Sequence, residues 1–170
     1  TDVAAPASSD KITLAGSNAT YEWKNGALKI NTTDNYIPTK FHLSPEKLTG
    51  EYVVDVMLGA TSITGAGYRL NFGAGDILYV DWRGASGAYV RTWNPGSTYL
   101  LSGSNAETYS TANVLKVTMH YNETAGTVAV YLNDIYVSTI EFVNPSNASI
   151  QDLIIYGYPG TLSVESVHCY

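Results

Sequence analysis

Residues 66–93 read AGYRLNFGAGDILYVDWRGASGAYVRTW, and the alternation within them decides the fold. Successive side chains of a strand point to opposite faces, so Tyr68, Leu70 and Phe72 fall on one side and Arg69 and Asn71 on the other. The next run sets Leu78, Val80 and Trp82 against Ile77, Tyr79 and Asp81, and the third sets Ala88, Val90 and Thr92 against Tyr89, Arg91 and Trp93. The stretch is three short antiparallel strands joined by two glycine-bearing turns. With residues 73–75 as a three-residue loop and 83–87 as a five-residue loop, counting inward from each turn predicts the register. Asn71, Ile77 and Trp93 then share one cross-strand row, Arg69, Tyr79 and Arg91 a second, and Asp81 and Tyr89 a third. One face is almost wholly apolar and belongs to a core. The other carries aromatic rings, two guanidinium groups, an amide and a carboxylate side by side, a composition suited to gripping a polar, ring-shaped ligand.

The same grammar runs outward in both directions. Residues 12–14, 20–23 and 27–30 are short strands, the last two joined by an Asn25-Gly26 hairpin turn. Residues 36–43 form a strand that Pro38 confines to an edge or a bulge. Residues 44–48 can form a single helical turn, with Ser44 as cap and Pro45 at the first helical position. Tyr52, Val54, Val56 and Leu58 share one face of a half-buried strand, and a Gly/Ser/Thr-rich loop follows over residues 59–65. Residues 94–113 form the longest irregular segment, broken only by Tyr99-Leu100-Leu101, and loops of that length tend to carry function. Beyond it, residues 115–121 and 128–132 make a hairpin, Asn133-Asp134 a tight turn into residues 135–142, and residues 153–158 and 162–167 the last two strands. Ten to twelve strands without a longer helical pattern indicate an all-β, two-sheet antiparallel β-sandwich or a barrel.

At 170 residues the chain suits one domain, with residues 1–10 as a loose lead-in and 11–170 as the folded part. A net charge of -6 works against nucleic-acid and anionic-membrane partners, whose phosphates would be repelled. No run approaches the roughly 20 apolar residues of a membrane-spanning helix. Asn18, Asn31, Asn122 and Asn147 each open an Asn-x-Ser/Thr acceptor sequence, which points to a secreted or cell-surface glycoprotein. Cys169 is the one cysteine, so an internal disulfide is excluded, and in a secreted protein it would be placed to bridge to a second chain.

The runs GEYVVDVML (50–58), GAGYRLNF (65–72), DILYVDW (76–82), LKVTMHYNETAGTVAVYLNDIYV (115–137) and DLIIYGYPGTLSVESV (152–167), in that order, resemble the concanavalin A-like lectin and glucanase superfamily in its laminin-G-like and carbohydrate-binding-module branch. The resemblance covers residues 48–167 and is one of pattern. It implies a two-sheet jelly roll, and it leaves open lectins, polysaccharide-binding modules, hydrolases, lyases and adhesion domains. It also implies a structural Ca²⁺ near the termini, from oxygen ligands such as Asp34, Asn35, Asp152 and Glu165.

Carbohydrate recognition needs a flat aromatic face for the C–H side of a sugar and directed polar groups for its hydroxyls. Arg69, Asn71, Tyr79, Asp81, Tyr89, Arg91 and Trp93 supply both, although an ordinary cross-strand ion pair between Asp81 and an arginine, with aromatic neighbours, would account for part of the pattern. Hydrolysis would need two carboxyl groups flanking one bond, and the face offers only Asp81, with loop residues such as Asp76 or Glu107 as the alternative source of a second; the Glu-x-Asp-x-x-Glu pattern of the superfamily's glucanases is absent. A lyase would pair Arg69 and Arg91 with a proton-moving Tyr79 or His120. The expected function is therefore a non-catalytic, lectin-like glycan-binding domain, with a lyase or hydrolase of the same fold and a protein-binding adhesion domain as alternatives.

Overall fold

The computed structural model describes residues 11–43, 51–63, 68–72, 78–83, 86–92, 98–109, 114–122, 124–141 and 152–169. In chain order the strands are β1 (Ile12–Thr13), β2 (Ala19–Lys24), β3 (Ala27–Thr32), β4 (Ile37–His42), β5 (Glu51–Ile63), β6 (Tyr68–Phe72), β7 (Leu78–Trp82), β8 (Ala88–Thr92) and β9 (Thr98–Leu101). A short helix α1 (Gly103–Glu107) follows, then β10 (Val114–Asn122), β11 (Thr127–Leu132), β12 (Ile135–Glu141), β13 (Asp152–Gly157) and β14 (Gly160–Cys169). They build two antiparallel seven-stranded sheets, ordered β1-β4-β13-β6-β7-β8-β9 and β12-β11-β10-β5-β14-β3-β2. The protein is a two-sheet antiparallel β-sandwich.

Alternation places the core between the sheets. Leu70, Leu78, Val80, Trp82 and Val90 of the first sheet, each at most 1% exposed, join Val54, Val56, Leu58, Leu115, Val117 and Met119 of the second in one apolar cluster. A buried polar contact also ties the layers together, for Tyr21 Oη on β2 lies 2.9 Å from Thr39 Oγ1 on β4. Two hairpins are set by local chemistry. Asn25 and Gly26 (φ 53° and 78°) and Asn133 and Asp134 (φ 49° and 66°) take the left-handed conformations that a two-residue turn requires, so Lys24 pairs with Ala27 and Leu132 with Ile135.

Several local expectations change. β5 does not stop at Leu58: it continues through Gly59, opposite Val114 on one side and Ser163 on the other, because the missing side chain leaves room for the Glu165 carboxylate on β14. Within residues 94–113 lie β9 and α1, the latter docked by its buried Ala106. The helical turn expected at residues 44–48 lies outside the described residues. Pro38 does occupy an edge: β4 pairs with β13 there, while β1 covers only Lys40 and Phe41 on the other side.

Gly87 is the joint between α1 and the β7–β8 turn. Its φ is +92°, and an added Cβ would stand 1.8 Å from the Ala106 carbonyl oxygen. Backbone strain alone costs about 1–3 kcal/mol at such a position, and the clash adds to it. Gly26, with φ +78° but no atom within 4 Å of the added carbon, isolates the strain term. Gly87→Ala is expected to lower the urea midpoint clearly more than Gly26→Ala; equal shifts would show that α1 is not packed on the turn.

Candidate ligand-binding face

Strand order brings polar residues from distant parts of the chain onto the outer face of the first sheet. Pairing across β13, β6, β7 and β8 aligns Tyr156, Arg69, Asp81 and Tyr89 in one row. A second row aligns Lys40, Ile154, Asn71, Tyr79, Arg91 and Tyr99 from β4 through β9. The β7–β8 register is the one counted from the five-residue loop. The β6–β7 register is not: Phe72 pairs with Leu78, leaving five residues between the strands, so Arg69 faces Asp81 instead of Tyr79. A shift of two preserves the faces and changes the partners.

That change creates the centre of the site. Asp81 is only 4% exposed although it points away from the core. Its Oδ1 accepts a hydrogen bond from Arg69 Nε at 2.7 Å and its Oδ2 one from Arg83 Nη2 at 3.3 Å, while Arg91 Nε stands 3.5 Å from Oδ2 as a third ion-pair partner. Tyrosine rings space the guanidiniums. Tyr79 lies between Arg69 and Arg91, whose Cζ atoms are 5.3 and 5.1 Å from its centroid, and Arg83 stacks over Tyr89 at 4.1 Å. Burial pulls the Arg69 and Arg83 pKa values down, but hydrogen bonds and the Asp81 charge outweigh it and hold both above the ordinary value, with Tyr99 contributing to Arg83.

Further rings frame this cluster. Tyr89 meets Tyr99 edge-on at 6.2 Å. On the other flank Tyr36 packs 5.1 Å from Tyr158 and 6.5 Å from Tyr156, and Arg69 lies 5.5 Å from its ring. Tyr36 adopts a left-handed backbone (φ 57°), a conformation costing about 1–2 kcal/mol for a side-chain-bearing residue. Burial and the hydrogen bond to Tyr36 push the Tyr158 phenol up to about 12 against the opposing charge of Arg69.

Of the residues expected here, Arg69, Tyr79, Asp81, Tyr89 and Arg91 come together. Asn71 is placed opposite Tyr79 by its backbone, its side chain being outside the description, and Trp93 lies outside the described residues. Tyr79, expected to stack on a ligand, is 7% exposed and serves as a spacer between arginines; among the described residues of this face the open rings are Tyr36 at 54% and Tyr99 at 47%. Arg83, Tyr36, Tyr99, Tyr156 and Tyr158 join the face beyond the residues that alternation in 66–93 points to. Arg83, directly after Trp82 and first in its turn, was the one with a local signal.

Other expected groups are elsewhere. His120 is on β10 in the second sheet, 5.2 Å from the Tyr131 ring, and does not join the arginines. Asp152 pairs with His42 Nδ1 at 2.7 Å at one end of β4, whereas Asp34 precedes its other end, about 17 Å away at strand rise, and no cluster of three or more His, Cys, Asp or Glu forms among the described residues. Cys169 is half-buried and burial raises its thiol pKa, which works against the thiolate an intermolecular bridge needs. A separate open cavity of 460 Å³, lined mainly by Trp23, Leu28, Phe41, Leu43 and Val164, lies between β4 and β14.

A sialidase superposes with a TM-score of 0.66 at 11% identity over 94% of this chain, which spans 16% of the sialidase chain. The Emp47p carbohydrate recognition domain matches with a TM-score of 0.63 at 9% identity, over 99% of this chain and 94% of that one. The carbohydrate-binding module CBM66 from Bacillus subtilis matches with a TM-score of 0.57 at 10% identity, over 96% and 99%. The fold is a concanavalin A-like jelly roll. No family model matches the chain, and no curated protein sequence does. The likeness therefore fixes the architecture and assigns no role to the cluster around Asp81.

Replacing Asp81 by Asn keeps its shape and removes the charge. Hydrogen bonds to charged groups are worth about 1.5–3 kcal/mol, against less than about 1 kcal/mol for an exposed pair. Chemical denaturation of Asp81→Asn is expected to show a loss in the upper range; an unchanged midpoint would reduce the cluster to surface ion pairs. A second expectation concerns pH. The raised Tyr158 pKa means that the folded state keeps a proton the unfolded chain loses, so stability is fully present below about pH 10 and falls as pH rises toward about 12. Tyr158→Phe should flatten that part of the stability profile, and an equally steep fall in the variant would contradict the assignment.

Proposed function

We propose that this chain is a non-catalytic, lectin-like carbohydrate-binding domain, secreted or displayed at a cell surface, that grips a glycan on the outer face of the first sheet. The observation that carries this reading is the array around Asp81, in which a buried carboxylate fixes guanidiniums and tyrosines fix their spacing. Arginine side chains free in water lose rotamer freedom on binding; here much of that loss is already incurred in folding, so each hydrogen bond to a ligand is made at lower cost. The open faces of Tyr99 and Tyr36 flank the cluster and suit the C–H side of a sugar ring. The carbohydrate-binding neighbours named above support the same reading.

The enzymatic alternatives fit less well. A lyase would draw on a proton-moving group beside the arginines: His120 belongs to the other sheet, a Tyr158 phenol at about 12 is far from a base poised near neutrality, and Tyr79, which does lie between Arg69 and Arg91, is 7% exposed and covered by their guanidiniums. A hydrolase would need a second carboxylate beside Asp81, which none of the described residues supplies, and Asp81 is itself buried and held by three arginines. Secretion is supported by Asn18, which sits in an exposed left-handed turn open to glycosylation, whereas Asn31 is tied across the sheet to Thr161 Oγ1 at 2.5 Å.

Glycan-array binding is the test. Arg91→Ala and Tyr99→Ala, each with an unchanged circular dichroism spectrum, are expected to lose about 1.5–3 kcal/mol, roughly ten- to more than hundredfold in affinity. Tyr131→Ala on the other sheet should bind like the parent. Retention of full affinity by both face variants would exclude this face.

A further inference from the structure

The face carries an electrical imbalance that hydroxyl recognition alone does not explain. Three guanidiniums converge on one carboxylate, so the cluster keeps two positive charges within a chain of net charge -6. The side chains are only partly wet, at 21% for Arg69, 33% for Arg83 and 13% for Arg91. Among the described residues the other charged groups on the outer face of this sheet are Lys40, exposed in the same cross-strand row as Arg91, and the His42–Asp152 pair at the far end. Holding like charges together while stripping water from them is unfavourable unless a counter-anion is supplied.

Resting on the carbohydrate-binding reading, we propose that the ligand is an acidic glycan whose sugar carboxylates meet the arginines of this face. A planar carboxylate matches the fork of guanidinium N–H donors, and Asp81 shows that these arginines already take a carboxylate as partner, through one N–H each from Arg69 and Arg83. In this arrangement Asp81 is a positioning residue: by holding Arg69 Nε and Arg83 Nη2 it fixes where these guanidiniums stand on the face. Lys40 and Arg91 are four strands apart, about 19 Å at ordinary strand spacing, so the row is longer than one sugar ring and suits an oligosaccharide with repeated acid groups.

Isothermal titration of the intact protein against oligogalacturonate, oligomannuronate and hyaluronan oligosaccharides, each beside its carboxyl-reduced neutral counterpart, tests this. At least one acid oligosaccharide is expected to bind ten- to hundredfold more tightly than its neutral counterpart, and the preference should shrink as salt is raised from about 0.01 to 0.5 M. Arg91→Gln should remove most of the preference. Lys40→Gln, an exposed change outside the Asp81 cluster, should weaken longer oligomers more than short ones even if the arginine variant does not fold. Neutral and acidic members binding equally would overturn the charge assignment and leave the glycan reading standing. Tighter binding of sulfated than of carboxylated oligosaccharides would overturn the carboxylate assignment, and binding of none of these together with an empty glycan array would overturn both readings.

Discussion

Asp81 lies on the middle strand of three, on the side of the sheet turned away from the core, yet almost none of it meets water. A carboxylate so placed is stable only because charged donors replace its hydration, and here Arg69, Arg83 and Arg91 do so from β6, the β7–β8 turn and β8. The geometry of the face follows. Each arginine is aimed by its contact with the same anion, and Tyr79 and Tyr89 keep the guanidiniums apart by lying against them. β7 is consequently buried on both faces, apolar toward the second sheet and ionic toward the outer side.

The two-sheet core supplies the rigidity that this arrangement needs. Trp82, Val80 and Leu78 alternate with Asp81 and Tyr79, so packing that locks the inner side chains also fixes the height and pitch of the outer ones. The link extends to α1, whose Ala106 carbonyl leaves no space beyond hydrogen at Gly87 and so restrains the turn that presents Arg83. Arg83 N donates to Gly87 O at 2.8 Å across that turn. The outer cluster is thus held through backbone as much as through side chains.

How far the sequence reveals this depends on distance along the chain. The inner and outer faces of β6, β7 and β8 are legible because alternation is local, and the Asn25-Gly26 and Asn133-Asp134 turns are legible because φ preference is local. The β6–β7 loop length is not, and an error of two residues hid the contact between Arg69 and Asp81 while leaving the face composition intact. Tyr156 and Tyr36 reach the site only because β13 inserts between β4 and β6, a pairing that spans more than eighty residues and leaves no local trace. Burial also reverses a role: a tyrosine on the outer face reads as a stacking platform, whereas Tyr79 is covered by the two arginines that flank it.

The central claim is that three arginines held by Asp81 form the surface that a glycan contacts. Arginine Nε–Hε NMR reads it directly, since Arg69 Nε is hydrogen-bonded to Asp81 and Arg91 Nε is placed beside it. In the free protein both signals should be slowly exchanging and lost or moved in Asp81→Asn. On addition of the best-binding oligosaccharide, the largest shifts should fall on Arg69, Arg83 and Arg91 and on the rings of Tyr99 and Tyr36. Rapidly exchanging arginine signals in the free protein, or shifts concentrated instead around the cavity lined by Trp23 and Phe41, would contradict the account.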